Sequence, residues 1–129
     1  MVRRIQPDEI ARSGGQNAAM ERAIAISQET CGSANLYTSI VTTGPGGRSE
    51  VHHHGECETS IYVLRGRARF RSGVGLRDVE TADAGDFVYI AAHEVHVEEN
   101  ASEAEPLVVL LTRNCGGPVV HYVEQGGAP

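Results

Sequence analysis

Three consecutive histidines, His52-His53-His54, stand mid-chain and are followed by Gly55-Glu56-Cys57-Glu58, while His96 closes a separate glycine-anchored segment. Side chains on an extended strand alternate between faces, so His52 and His54 project one way and His53 the other. Two imidazoles on one face, a carboxylate a short turn later and a third imidazole from another strand form a mixed nitrogen and oxygen donor set. Such donors suit one divalent transition metal, Fe, Mn, Ni, Cu or Zn, rather than Ca or Mg. His53 is expected on the surface or at an interface, His93 in a turn at the mouth of the site, and His121 as a structural residue of the last strand. Cys57 abuts the ligand turn and reads as a free thiol, because neighbouring positions do not easily face one ion.

The segments that carry these residues are short and β-rich. Strands are expected near 36–42, 49–54, 60–64, 67–72, 77–81, 87–90, 95–98, 107–112 and 119–123, separated by glycine-bearing turns such as Gly44-Pro45-Gly46-Gly47 and Gly116-Gly117-Pro118. Many short strands without helical periodicity between them indicate a sandwich or barrel. Along 65–71 four arginines alternate with Gly66, Ala68 and Phe70, which places Phe70 in the core and the arginines toward solvent or a partner subunit. Tyr37, Tyr62 and Tyr89 are expected mostly as core residues on strands. Residues 1–30 read differently, as a short helix or edge strand that could reach a neighbouring sheet, and 126–129 read as a tail. The domain proper is expected over 31–125.

Composition narrows the classes. A chain of 129 residues is one domain's worth, and its net charge of −6 speaks against nucleic acid as partner. Cys31, Cys57 and Cys115 are an odd, widely spaced set without a C-x-x-C, which does not read as a disulfide framework. No apolar stretch of signal-peptide or membrane-span length is present, so no membrane partner and a cytoplasmic setting are expected.

Two stretches resemble a known family. Gly46, His52, His54, Glu58 and Gly66 resemble the first cupin motif, G-x5-H-x-H-x(3,4)-E-x6-G, and Gly85, His96 and Asn100 match the second, G-x5-P-x-G-x2-H-x3-N, in register. Ala91 replaces the proline of the second motif and His93 its inner glycine. Counting back from Gly66 over six residues lands on Thr59 rather than Glu58, so either a bulge restores Glu58 or the site has three histidines alone. The resemblance implies an all-β jelly-roll barrel, the double-stranded β-helix, with His52, His54, Glu58 and His96 around one metal in its lumen.

Four protein ligands on an ion that accepts five or six leave room for a small polar metabolite. The resemblance implies a metal-dependent enzyme, first of all one of non-haem dioxygenase type. Two alternatives stand beside it. One is a metal-assisted isomerase, epimerase or lyase, in which Glu56 or Tyr62 moves the proton; the other is a ligand-binding or sensing module without turnover. A homodimer is expected.

Overall fold

The structure, a computed structural model, describes residues 1–14 and 17–124; Gly15 and the expected tail lie outside the described residues. The described residues form eleven strands: β1 (Ala11–Ser13), β2 (Met20–Ile26), β3 (Tyr37–Thr43), β4 (His52–His53), β5 (Thr59–Arg65), β6 (Arg67–Ser72), β7 (Asp78–Asp83), β8 (Phe87–Ile90), β9 (His96–Asn100), β10 (Leu107–Arg113) and β11 (His121–Tyr122). One four-residue helix, α1 (Gln28–Cys31), is capped by the Ser27 hydroxyl. All strand pairs are antiparallel, in one sheet of order β1-β2-β3-β10-β5-β8 and a second of order β11-β4-β9-β6-β7. No helix among the described residues is long and apolar enough to cross a membrane.

Period-two alternation builds the interior. In β3 and β10 every second residue is buried, and the two strands pair along their whole length from Tyr37↔Arg113 to Thr43↔Leu107. Tyr37, Val41, Ile61, Val63, Val109 and Leu111 from one sheet meet Ala68, Phe70 and Ala82 from the other in a single core. Each fully buried aliphatic or aromatic side chain of this kind contributes about 1.5–3 kcal/mol.

The first thirty residues carry two strands, β1 at the edge of the sheet. β2 runs alongside β3 from Met20↔Thr43 to Ile26↔Thr38, and β1 folds back on β2. The segment expected to reach a neighbouring sheet extends the chain's own sheet, because β3 offers it a free edge and Met20 a place in the core.

Two strands are shorter than their sequence pattern suggests. The expected 49–54 strand contracts to His52–His53, because the Glu98 amide donates to the Ser49 hydroxyl oxygen instead of a backbone carbonyl, although the Ser49 amide still donates to the Glu98 carbonyl. The last strand contracts to His121–Tyr122, beyond Pro118, which has no amide proton to give a ladder.

The arginine face behaves as expected. Arg67 donates to Asp83 at 2.7 Å, and Arg69 and Arg71 share Glu99 at 2.9 and 2.8 Å, while Ala68 and Phe70 between them are buried. Burial alone would push the Glu99 carboxyl up, but the two guanidiniums hold it below its ordinary value.

The β5–β6 turn explains the last glycine of the first motif. Gly66 sits at φ +90°, and a Cβ there would lie 2.6 Å from the Pro106 carbonyl oxygen. Neither strain nor backbone contact has an easy release, so Gly66→Ala is expected to lower unfolding free energy by about 1–3 kcal/mol. Urea unfolding monitored by circular dichroism measures this, and a variant as stable as the parent would show that the turn rearranges freely.

Candidate metal centre

β4 and β9 pair so that His52 lies directly opposite His96. His54 follows β4 on the same face, where Gly55 at φ +59° turns the chain away. The three imidazoles are buried, with exposures of 0% for His52, 3% for His54 and 1% for His96. One ligand atom from each lies within 4.8 Å of the others, and this is the one such group of three among the described residues.

Each ring is held from behind by a backbone carbonyl. Nδ1 of His52 is 2.7 Å from the Glu50 oxygen, Nδ1 of His54 is 2.7 Å from the Val119 oxygen, and Nδ1 of His96 is 2.8 Å from the Glu94 oxygen. A carbonyl only accepts, so in all three rings Nδ1 carries the proton and the Nε2 lone pair points inward. His52 Nε2 and His54 Nε2 are then 3.1 Å apart with no proton between them, and His96 Nε2 has no partner at all. Burial first, then repulsion from His96 and Arg113, brings the His52 pKa down to about 4 against the opposing effect of Glu98 and the Glu50 carbonyl. Burial and the Arg113 guanidinium bring that of His54 down to about 2, so a shared proton does not relieve the contact at neutral pH.

Three convergent imidazole nitrogens are a donor set for a cation. Ligand nitrogens about 2.0–2.1 Å from one ion lie roughly 2.9–3.4 Å apart for bond angles between 90° and tetrahedral, and the His52–His54 spacing falls in that interval. The donor set therefore fits a divalent transition metal, held by three neutral imidazoles.

Glu58 does not join them. It is exposed at the start of β5, with its amide bound to Asn114 and its carboxylate accepting from the Tyr89 hydroxyl at 2.6 Å. The residue that faces inward is Thr59, 1% exposed, because strand alternation from the buried Ile61 and Val63 puts position 59 inside and 58 outside. No bulge restores Glu58, and the three-histidine alternative is the geometry observed.

The proposed proton carriers are also displaced. Glu56 is exposed in the turn after His54, and Tyr62 lies on the outer side of β5 against Phe87, 4.6 Å between ring centroids. Tyr37 is buried as expected, whereas Tyr89 is exposed.

His53 faces out and stacks on His121, with His93 near it, so His121 belongs to a surface histidine group. His93, where the second motif has a glycine, takes the left-handed backbone that favours glycine, φ +63°, and its amide donates to the Gly55 carbonyl at 2.7 Å. That bond joins the turns of the two motifs. Asn100, the final residue of the second motif, ties Thr43, Gly44 and Glu105 together through its amide nitrogen.

Cys57 is not a free thiol. It is bonded to Cys115, 58 residues away, and Cys31 is the free cysteine. No local spacing announces the pair; Thr59 pairs with Arg113 across β5 and β10, which brings the residues just outside both strand ends together.

Two lumen residues escaped the sequence reading. Glu98 follows His96 by two positions and so shares its face, with Oε1 buried and unpartnered. Arg113 continues the inward series Leu107, Val109, Leu111 and donates to His54 Nε2 at 3.2 Å. Counting by two from His96 and from Leu107 would have found both. A cavity of about 270 Å³ lined by Phe70, Ser72, Val88, Ile90 and His96 reaches the centre.

Residues 39–113 match the family model of the cupin domain. The chain belongs to the cupin family. Oxalate decarboxylase of Lactobacillus farciminis, solved as a formate complex, superposes with TM-score 0.77 at 22% identity over 90% of this cupin, which spans 34% of that chain. Bacillus subtilis oxalate decarboxylase with Mn(II) centres gives 0.71 at 25% identity, covering 84% of this chain and 29% of that one. The polyketide cyclase RemF of Streptomyces resistomycificus gives 0.76 at 20% identity, covering 96% of this chain and 87% of that one. This cupin therefore has about a third of the length of the oxalate decarboxylases and nearly the full extent of the cyclase. No curated protein matches it.

Two outcomes follow from the geometry. His52→Ala, His54→Ala and His96→Ala should each remove stoichiometric metal, whereas His53→Ala and Glu58→Gln should retain it; elemental analysis of the purified variants decides, and metal loss on Glu58→Gln would restore a four-ligand site. The second concerns pH. The folded pKa of His52 lies below its unfolded value of 6.5, so protons bind the unfolded chain first. Metal-free protein should therefore lose stability as pH falls from about 6.5 toward about 4, with no such loss above 6.5. Thermal melts of parent and His52→Gln across that window check this, since the variant should show a shallower fall.

Proposed function

We propose that this cupin is a metal-dependent enzyme acting on a small polar metabolite, and that His52, His54 and His96 hold its ion. The carrying observation is the convergence of three buried imidazoles, with the Nε2 atoms of His52 and His54 3.1 Å apart and that of His96 without a partner. Three protein ligands leave several coordination positions, which supports the dioxygenase-type reading because a chelating metabolite and O2 would both fit. Mn(II) in one oxalate decarboxylase neighbour supports Mn or Fe as the first metals to test. The ion would supply Lewis acidity and a template for the reactants.

Glu98 favours a second reading, proton transfer as in an isomerase or lyase. It replaces Glu56 and Tyr62 as the candidate base, since its carboxylate faces the lumen beside the histidines and those two residues do not. A positioned base of this kind contributes about 100- to 10,000-fold in rate.

Elemental analysis of anaerobically purified protein, followed by turnover assays with and without O2, separates the readings. Oxygen uptake matched to substrate loss supports the dioxygenase. Turnover indifferent to O2 and lowered about 100-fold or more by Glu98→Gln supports proton transfer. Ligand-dependent stabilisation without product would leave only a binding module.

The homodimer also belongs among these proposals. Ala23, Ile40, Leu110, Tyr62 and Phe87 are consecutive cross-strand partners on the outer face of the six-stranded sheet, and Phe87 is 73% exposed. An apolar row across five strands suits a second copy of the same face. Light scattering should report a dimer that Leu110→Arg splits, and a monomeric parent at micromolar concentration rejects it. The cytoplasmic expectation sits poorly with the Cys57–Cys115 bond, because disulfides persist mainly in oxidising compartments.

A further inference from the structure

The cupin pattern puts a carboxylate six intervening residues ahead of Gly66, and this chain has Thr59 there. Thr59 faces inward, is 1% exposed, and its Oγ1 has no hydrogen-bond partner. Its direct partner on β10 is Arg113, whose other neighbour in the row is Tyr37 on β3. Position 59 has therefore lost a negative charge beside a residue that carries a positive one.

Arg113 is itself under-partnered. It is 6% exposed and forms no ion pair among the described residues. Its guanidinium lies over the Tyr37 ring at 5.5 Å, and its Nε donates to nothing. One terminal nitrogen donates to His54 Nε2, the same lone pair that a metal would take. An ion on the three histidines would thus take the acceptor of that terminal nitrogen, while the Arg113 Nε and the Thr59 hydroxyl, both buried, already lack one. A buried cation in that condition is costly unless an anion meets it.

Other charges face the same space. Arg22 approaches the Tyr37 hydroxyl at 3.4 Å and lines a small cavity with Tyr37, Ser39, Glu98 and Arg113. Two guanidiniums stand there against one carboxylate, Glu98, before any metal adds its own charge. Three neutral imidazoles offset none of it.

We propose that Thr59 and Arg113 receive the carboxylate of a small organic acid where the cupin pattern places a glutamate, so that the ligand supplies the anion the protein lacks. This rests on the metal reading above. The guanidinium fork matches a carboxylate in two-point geometry, which an ammonium does not. The cavity of about 270 Å³ on the His96 side has Phe70, Val88 and Ile90 in its wall beside Glu80 and Glu94, so it accommodates a short apolar body and disfavours the acid group, which is left to Arg113. The substrate class is a small carboxylic acid with an apolar remainder.

The test titrates 2-oxobutyrate and its neutral amide into Mn(II)-loaded and metal-free protein by calorimetry, with metal content measured separately. The parent should prefer the acid at least tenfold in either form or in the loaded form alone. Arg113→Met, which keeps the aliphatic stem, should retain metal and bring that preference close to one. Thr59→Glu writes the carboxylate back beside Arg113; it should hold metal more tightly and weaken the acid at least tenfold. A parent without preference, an Arg113→Met variant that keeps it, or a Thr59→Glu variant that binds the acid unchanged each overturns the proposal. Should Arg113→Met fail to fold, Thr59→Glu and the parent's own acid-to-amide ratio decide. Absence of metal from the parent sinks the metal reading instead, and the metal-free titration then judges Arg113 by the same criterion.

Discussion

Three hydrogen bonds from imidazole Nδ1–H groups to the carbonyls of Glu50, Val119 and Glu94 set everything else at the centre. They choose the tautomer, fix each ring plane, and turn three Nε2 lone pairs onto one point. Two of those carbonyls lie two residues before the histidine they hold, so β4 and β9 orient His52 and His96 by their own local geometry. The third comes from the segment after β10, which makes His54 depend on a part of the chain 65 residues away. That segment is anchored by the Cys57–Cys115 bond on one side and by the β11–β4 pairing on the other. The disulfide is thus tied to ring orientation as well as to the barrel.

The sheets supply the constraint that makes such convergence stable. A one-residue slip of β9 against β4 would exchange His96 for an outward residue, and the β6–β9 pairing over five residues forbids it. Asn100 and the His93–Gly55 bond lock the two ends of the same region. The strain at His93 persists because the turn it closes is held by both motifs.

Much of this was legible in the sequence, and for one reason. Strand alternation is strictly two-residue, so His52, His54 and Phe70 could be assigned to the interior and His53 and the arginines to the exterior without coordinates. Glu58 as a ligand follows from the resemblance, whereas the same alternation puts Thr59 inside and Glu58 outside. The Cys57–Cys115 pair and the docking of β1 and β2 were not legible, since both depend on contacts between distant segments that no local period encodes. Glu98 and Arg113 lay between these cases: their faces could be counted, but charged residues on a strand read as surface until burial is known.

The centre differs from the pattern it follows in the charge it contains. A lumen that contained a glutamate at position 59 would set a negative charge next to Arg113 and partly neutralise a dication. With threonine there, the protein contributes three neutral nitrogens, and the fixed charges that act on them are Arg113 and Glu98. In a site of low effective dielectric such an imbalance is felt over several ångströms. Neutral ligands leave the ion's charge intact, which strengthens its pull on an oxygen donor, and the adjacent guanidinium favours the anionic form of that donor. Both act in one direction on a bound acid, and neither requires the protein to move.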